Sequence, residues 1–159
     1  MNILLNEHQE ILGHLIQNHV EFLLIGGYAV IYHGYNRSTG DMDLWLNPTN
    51  ENRDKIINAL TASGFETEDL ETLSNVDFTK HFAFSIGIEP QKIDFITYIN
   101  QVSFDEAYRN KVMYSFENMQ IPVINIRELI LSKINTGRKK DEADVEELQK
   151  RMNINKTRL

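Results

Sequence analysis

An apolar run that ends in two glycines, followed by two aspartates one residue apart, constrains this chain more than any other feature. The run covers residues 22–25 and leads into Gly26 and Gly27, and a short segment separates these from Asp41 and Asp43. This order predicts a strand, a glycine turn, a short helix, a loop and a second strand. Because side chains alternate along a strand, the two aspartates project from the same face.

The glycine turn and the paired carboxylates are weak signals when each is taken alone. A Gly-Gly after an apolar run is usually a tight turn, and an Asp-x-Asp is usually two solvated acids. Together they indicate more, because glycines let a backbone and a helix start approach a phosphate chain closely. Two carboxylates beside that turn suit a hard divalent cation such as Mg²⁺. The combination favours a site for a nucleotide and a metal ion.

A third carboxylate, Asp94, lies within a later predicted strand. Residues 81–88 and 92–98 are rich in β-branched and aromatic side chains and flank a Glu-Pro-Gln turn. Asp94 is either an acid on an exposed face or a partner of Asp41 and Asp43 across neighbouring strands. Burying an acid without a partner costs free energy, and the second reading explains more. We therefore expect Asp94 to complete the metal site.

These positions resemble the nucleotidyltransferases of the DNA polymerase β-type superfamily, especially the small stand-alone members. The family pattern is an apolar residue, glycine, then glycine or serine, followed by Asp-x-Asp or Asp-x-Glu and a later carboxylate. It falls here on Ile25, Gly26, Gly27, Asp41, Asp43 and Asp94. The string 26–30, with Arg37 and Thr39 ahead of Asp41, also resembles the antibiotic-modifying and toxin–antitoxin branches. Gly27 replaces the serine of many members, so a serine hydroxyl contact to phosphate is absent.

The resemblance implies that a nucleoside monophosphate is transferred from a nucleoside triphosphate, such as ATP, to a hydroxyl of a small molecule, protein or RNA. It assigns catalysis and the binding of two Mg²⁺ ions to Asp41, Asp43 and Asp94. It assigns phosphate binding to Gly26, Gly27, Arg37, Thr39, Lys133 and Arg138. Lys133, Arg138 and Asp141 resemble a helix that follows the core in these branches. The alternative is a non-catalytic nucleotide- or partner-binding module, for example a toxin–antitoxin component.

Several of these residues also have ordinary structural interpretations. Lys133 and Arg138 either meet triphosphate oxygens or are solvated cations on a helix. Arg37 has the geometry to neutralise phosphate, and Thr39 either donates to phosphate or caps its loop. The later acids are expected on a solvated helix face; they are Glu142, Asp144, Glu146 and Glu147.

Composition is that of an ordinary globular chain, with 42% hydrophobic and 25% charged residues among 159. We expect one nucleotidyltransferase-like domain over residues 1–159, with its core at 20–100 and a C-terminal hairpin and helices at 103–159. The absence of cysteine excludes disulfides and thiolate chemistry. No apolar run approaches the roughly 20 residues of a membrane span, and the N-terminus lacks a signal-peptide pattern. A cytoplasmic protein without a membrane partner is expected.

The net charge of −7 bears on the acceptor. Proteins that follow a nucleic-acid backbone usually carry a basic face, so a nucleic-acid partner is less expected than a small, cationic or protein acceptor. The short chain leaves few helices to cover the site. We therefore expect a homodimer in which the second subunit covers part of the site. The apolar face of a strand at 119–124 is the expected contact surface.

The predicted fold is α/β (α+β): a short mixed sheet with helices packed on one side, plus C-terminal helices. Helices are expected at 6–18 and 50–63, and from Ser103, Asn125 and Asp141 onward. Residues 66–74 are either a loop or a short helix near the site entrance. Segments 112–116 and 119–124 form a predicted hairpin, and Pro122 predicts that its second strand lies at an edge.

Overall fold

A six-stranded mixed sheet organises residues 4–157, the part of the chain that the computed structural model describes. Its strands are β1 (Phe22–Ile25), β2 (Met42–Leu46), β3 (Ala83–Ile86), β4 (Ile93–Ile96), β5 (Val112–Phe116) and β6 (Met119–Val123). Their spatial order is β3-β4-β2-β1-β6-β5. Strand β2 runs antiparallel to β1 and parallel to β4, and β6 runs parallel to β1.

Helices fill both the connections and the C-terminal part. They are α1 (Asn6–Gln17), α2 (Gly26–Tyr32), α3 (Asn50–Ala62), α4 (Thr67–Ser74), α5 (Phe104–Arg109), α6 (Ile126–Lys133) and α7 (Lys139–Thr157). The mixed sheet with its helices confirms the predicted α/β class. Within residues 4–157, no helix is both long and apolar enough to cross a membrane.

The two faces of the sheet differ in what covers them. Met42 and Leu44 alternate with Asp43 along β2 and are fully buried. Their face is covered by α1 and α3, since Ile11 of α1 and Ile93 of β4 line one crevice. The opposite face carries Asp43, and further along it the ring of Phe104 in α5 packs edge-on against Trp45. The carboxylate face is therefore the one left partly open.

The predicted edge position of the strand with Pro122 is wrong, because β6 lies between β1 and β5. Proline is tolerated there because pairing with β1 begins only beyond it. Val123 is the register partner of Leu24, and Ile124 N–H donates to the Leu24 carbonyl. The homodimer stays a prediction, but the strand expected to mediate it is flanked by neighbours on both sides.

Residues 66–74 were predicted to be either a loop or a short helix, and the structure has the helix α4 there. This helix does not border the carboxylates. Leu70 of α4, Leu60 of α3 and Phe84 of β3 line a common crevice. Phe84 is adjacent to Ser85, the register partner of Asp94, so it points to the other face of the sheet. The expected location of this helix near the site entrance is therefore wrong.

Candidate functional site

The three predicted aspartates form one electrostatic cluster at the start of β2 and β4. Asp43 and Asp94 are register partners in this parallel pair, and Asp41 precedes β2. Burial raises the pKa of Asp43 to about 6, and the negative charges of Asp94 and Asp41 add to the shift. The charges of Lys133 and Lys140 act in the opposite direction. The structure thus brings together three acids from separate parts of the sequence.

A lysine ammonium lies between two of these carboxylates. Lys92 Nζ is 3.4 Å from Asp41 Oδ2 and 3.6 Å from Asp94 Oδ1. The Ser85 hydroxyl donates a hydrogen bond to Asp94, whereas Asp41 Oδ1 is buried without a hydrogen-bond partner. Among residues 4–157, no group of three or more acidic, histidine or cysteine side chains is arranged to hold a metal ion. In this arrangement the Lys92 ammonium, and not a metal ion, lies between Asp41 and Asp94.

The glycine turn packs directly against the carboxylate cluster. Gly26 has a φ of 63°, in the region that favours glycine, and a Cβ there would overlap the Asp43 carboxylate. This contact follows from register, because Ile25 pairs with Asp43. A Cβ at Gly27 would likewise overlap the Thr39 hydroxyl and lie 3.3 Å from Arg37 Nη1. The chain thus requires glycine at both positions for close approach, whatever binds there.

Two of the predicted phosphate-binding cations share a buried carboxylate. Asp144 is fully buried and accepts from Arg37 Nε at 2.7 Å and Nη2 at 2.9 Å, a bidentate geometry. Lys133 Nζ lies 3.0 Å from Asp144 Oδ2 and 3.1 Å from Asp141 Oδ1. Arg37 Nη1 also donates to the Ser38 carbonyl. This ion-pair network joins the loop before β2 to α6 and α7.

The location of Asp144 shows that the expected solvated face is wrong at this residue. Asp141 and Asp144 are three residues apart, so they lie on one side of α7 and face α6. Glu142 and Glu146 are exposed as expected. Arg138 pairs with Asp141 at 2.7 Å, yet its side chain remains 75% exposed. Arg138 is therefore at the outer end of the network.

Sequence reasoning missed three residues at the cluster, namely Ser85, Lys92 and Lys140. Lys92 was detectable, because it is two residues from Asp94 and strand alternation directs both to one side. Ser85 and Lys140 were not, because their positions depend on which strands pair and on where α7 lies.

A sequence comparison identifies the class of protein to which this fold belongs. Residues 2–158 match the family described as "Nucleotidyltransferase of unknown function (DUF6036)", and the chain belongs to this family. No curated protein sequence matches the chain.

Two solved structures share the fold at low sequence identity. The lincosamide antibiotic adenylyltransferase LnuA, in a lincomycin-bound structure, is 16% identical with a TM-score of 0.53, over 94% of this chain and 98% of that one. A Thermotoga maritima protein, TM1012, whose assignment as a nucleotidyltransferase is provisional, is 17% identical with a TM-score of 0.57. That alignment covers 91% of this chain and 89% of the other. The roles of individual site residues remain predictions.

The raised pKa of Asp43 predicts a pH-dependent stability difference. Its ordinary pKa is 3.8 and its folded pKa is about 6, so ionised Asp43 destabilises the fold and stability falls as pH rises through this interval. The variant Asp43→Asn has no carboxylate at this position, so it should not lose stability in this way as the pH rises. In EDTA, the difference in free energy of unfolding between Asp43→Asn and wild type should shift by about 2 kcal/mol in favour of the variant as the pH rises from about 4 to about 7. Urea denaturation measures this, with the exposed Asp54→Asn as control; a pH-independent difference would contradict the clustered charges.

The ion-pair network predicts that Asp144→Asn is strongly destabilising. Removing its charge leaves the largely buried side chains of Arg37 and Lys133 without their shared partner, which should lower the free energy of unfolding by about 3 kcal/mol. Glu146→Gln on the same helix is the matched control, because Glu146 forms an exposed pair with Lys150. It should change stability by less than about 0.5 kcal/mol. Equal effects of the two variants in urea denaturation would refute the network.

Proposed function

We propose that this protein transfers a nucleoside monophosphate from a nucleoside triphosphate to an acceptor hydroxyl, with Mg²⁺ as cofactor. The observation that carries the proposal is the contact between the glycine turn and the carboxylate cluster. Gly26 leaves no room for a side chain beside Asp43, and Asp43 stands next to Asp94. A phosphate chain on the turn would thus lie beside acids from two strands.

The chemistry of the carboxylate set fits a hard divalent cation. Asp41 has a buried oxygen without a partner, Asp43 is crowded by two like charges, and Lys92 already bridges Asp41 and Asp94. Oxygen ligands of this kind are those that Mg²⁺ prefers. Asp41, Asp43 and Asp94 are not arranged as a ligand set while Lys92 lies between Asp41 and Asp94, and they would hold the ion once Lys92 moved away. Bound there, Mg²⁺ supplies positive charge that stabilises the entering and leaving oxygens of an in-line displacement.

The remaining groups position the triphosphate. The turn at Gly26 and Gly27 has no Cβ atoms to hold phosphate oxygens away from the backbone. Lys133 already interacts electrostatically with Asp43, and its ammonium would leave its ion pairs with Asp141 and Asp144 to contact phosphate. Arg37 contributes indirectly, because Asp144 holds its guanidinium next to Gly27.

The transfer itself needs one proton acceptor. The acceptor hydroxyl oxygen bonds to the α-phosphorus, the bond from that phosphorus to the β-phosphate oxygen breaks, and pyrophosphate leaves. Asp94 would receive the hydroxyl proton, because its side chain is partly exposed and an acceptor hydroxyl can approach it. Positioning and charge then supply the rate enhancement, as in other phosphoryl transfers.

A second candidate is a non-catalytic nucleotide- or partner-binding module, such as a toxin–antitoxin component. Lys92 favours it, because its ammonium neutralises Asp41 and Asp94 without any metal. The three clustered acids favour catalysis, since like charges held together destabilise the fold unless a cation is bound. The similar fold of the adenylyltransferase LnuA makes ATP and a small-molecule acceptor the first pair to test.

Turnover by wild type separates the two candidates, and Asp94→Asn tests the role of Asp94. Wild type with Mg²⁺ should release pyrophosphate from one of the four nucleoside triphosphates when an acceptor is supplied. The variant should still bind that nucleotide, but its turnover should fall at least about a hundredfold, the scale of losing a general base. Thermal shift measures binding, and a coupled pyrophosphate assay measures turnover. Near-wild-type turnover in the variant would contradict the role given to Asp94.

Lys92→Met tests whether the ammonium competes with the metal. Removing it leaves Asp41 and Asp94 without their cation, so Mn²⁺, used as a Mg²⁺ substitute, should bind at least about threefold more tightly. Lys150→Met is the matched control, because Lys150 also bridges two acids, Glu146 and Glu147, on the outer face of α7. Electron paramagnetic resonance of free Mn²⁺ measures both. Weaker binding in Lys92→Met would mean that the lysine supports the site instead of competing for it.

A further inference from the structure

The hydroxyl of Ser85 donates a hydrogen bond to Asp94 Oδ1, and Asp94 is the carboxylate that the proposed function makes the proton acceptor. Ser85 is an exposed residue of β3, and Asp94 lies on the neighbouring strand β4. A general base must be within hydrogen-bond reach of the proton that it removes. Within residues 4–157, Ser85 is the one residue whose hydroxyl meets this condition at Asp94.

Ser85 is at one end of a row of residues that crosses the sheet. It is the register partner of Asp94, Asp94 is the partner of Asp43, and Asp43 is the partner of Ile25, which precedes Gly26. Because neighbouring strands are about 4.8 Å apart, the row extends about 14 Å from Ser85 to Ile25. The serine and the glycine turn therefore lie on opposite sides of the two aspartates.

The order of this row fits an in-line displacement at phosphorus. In such a displacement, the attacking and the leaving oxygens lie on opposite sides of the phosphorus atom. With the β- and γ-phosphates at the glycine turn and the α-phosphate beside Asp43 and Asp94, the leaving oxygen faces Gly26. The Ser85 hydroxyl is then on the attacking side.

The surface of β3 around Ser85 leaves room for a nucleotide. Ala83 is exposed and lies two residues before Ser85, so strand alternation directs both side chains to the carboxylate face. Gly87, two residues after Ser85, has no side chain. Among the described strands, β3 is the last on its side of the sheet. A nucleotide joined to Ser85 would therefore meet no bulky side chain from this strand on the carboxylate face.

We propose that this protein modifies itself, with the Ser85 hydroxyl as the acceptor when no other acceptor is bound. Ser85 Oγ bonds to the α-phosphorus, the bond from that phosphorus to the β-phosphate oxygen breaks, and pyrophosphate leaves. The hydroxyl proton passes to Asp94. The product is a phosphodiester between Ser85 and the nucleoside, and each chain reacts once because its own hydroxyl is consumed. This inference rests on the proposed function, since it uses the same transfer step.

Labelled nucleotides test the proposal directly. The whole protein with Mg²⁺ is incubated with each of the four nucleoside triphosphates, labelled at either the α- or the γ-phosphate, without an added acceptor. The α-label of at least one nucleotide should become covalently bound, with no more than one label per chain. Peptide mass spectrometry should locate the adduct at Ser85. Covalent γ-label, which reports phosphoryl transfer, or an adduct at another residue would overturn the proposal.

Three variants at serine positions isolate the hydroxyl. Ser85→Ala should abolish covalent labelling, and Ser85→Thr should retain it at position 85 because a hydroxyl remains. Ser115→Ala is the matched control, since Ser115 is an exposed serine on β5, the opposite edge strand, and its hydroxyl contacts Gln120. It should label as wild type does. Label that survives Ser85→Ala, or that Ser115→Ala also removes, would contradict the assignment of Ser85.

Two kinetic measurements test the route. Asp94→Asn should slow labelling at least about a hundredfold, the scale of losing a general base. The first-order rate constant of labelling should not change with protein concentration, because the row from the glycine turn to Ser85 belongs to one chain. A rate constant that rises in proportion to protein concentration would mean that one chain modifies another, and it would overturn the proposed route.

The outcomes also separate this inference from the proposed function. Glycerol, ribose and a serine-containing peptide serve as external hydroxyl compounds in the pyrophosphate assay. Pyrophosphate release that depends on one of them, with no label on the wild-type protein, would overturn self-modification and leave the proposed transfer in place. Absence of both label and pyrophosphate release with every nucleotide would overturn self-modification and also count against the proposed function.

Discussion

The pairing of β2 with β4 sets the electrostatic constraint on which the rest of the site depends. It holds Asp43 directly beside Asp94, with Asp41 close by. The fold therefore keeps three negatively charged groups together in a partly buried position. Lys92, Lys133 and Lys140 are the groups that offset this repulsion. Each comes from a different element, so the structure around the cluster is arranged to supply positive charge. A bound divalent cation would likewise offset the carboxylate charges, and it would in turn attract a triphosphate.

The buried carboxylate of Asp144 transmits this arrangement to the C-terminal helices. It binds Arg37 in the loop that covers the glycine turn and Lys133 at the end of α6. One side chain thereby fixes the loop, α6 and α7 relative to the sheet. Charged groups buried this far from water are stable only when their partners remain in place, so the geometry of the turn depends on a residue that touches neither glycine.

The sequence predicted what depends on local pattern and missed what depends on tertiary order. The strand, glycine turn and Asp-x-Asp were readable because alternation and glycine conformation act within a few residues of Gly26 and Asp43. The prediction from Pro122 was wrong because β6 lies between β5 and β1, and β1 is far from β6 in sequence. Asp144 was predicted to be solvated because the face of α7 that packs inward depends on the position of α6.

The most direct test of the central claim is the Mg²⁺ dependence of triphosphate binding in the double variant Asp41→Asn/Asp43→Asn. Isothermal titration calorimetry would use a nucleoside triphosphate analogue that cannot be cleaved at the α-phosphorus, with and without Mg²⁺. The account predicts that wild type binds the analogue more tightly with Mg²⁺, and that the folded double variant shows no Mg²⁺ effect. An undiminished Mg²⁺ effect in the double variant would contradict the assignment of these carboxylates as the metal and nucleotide site.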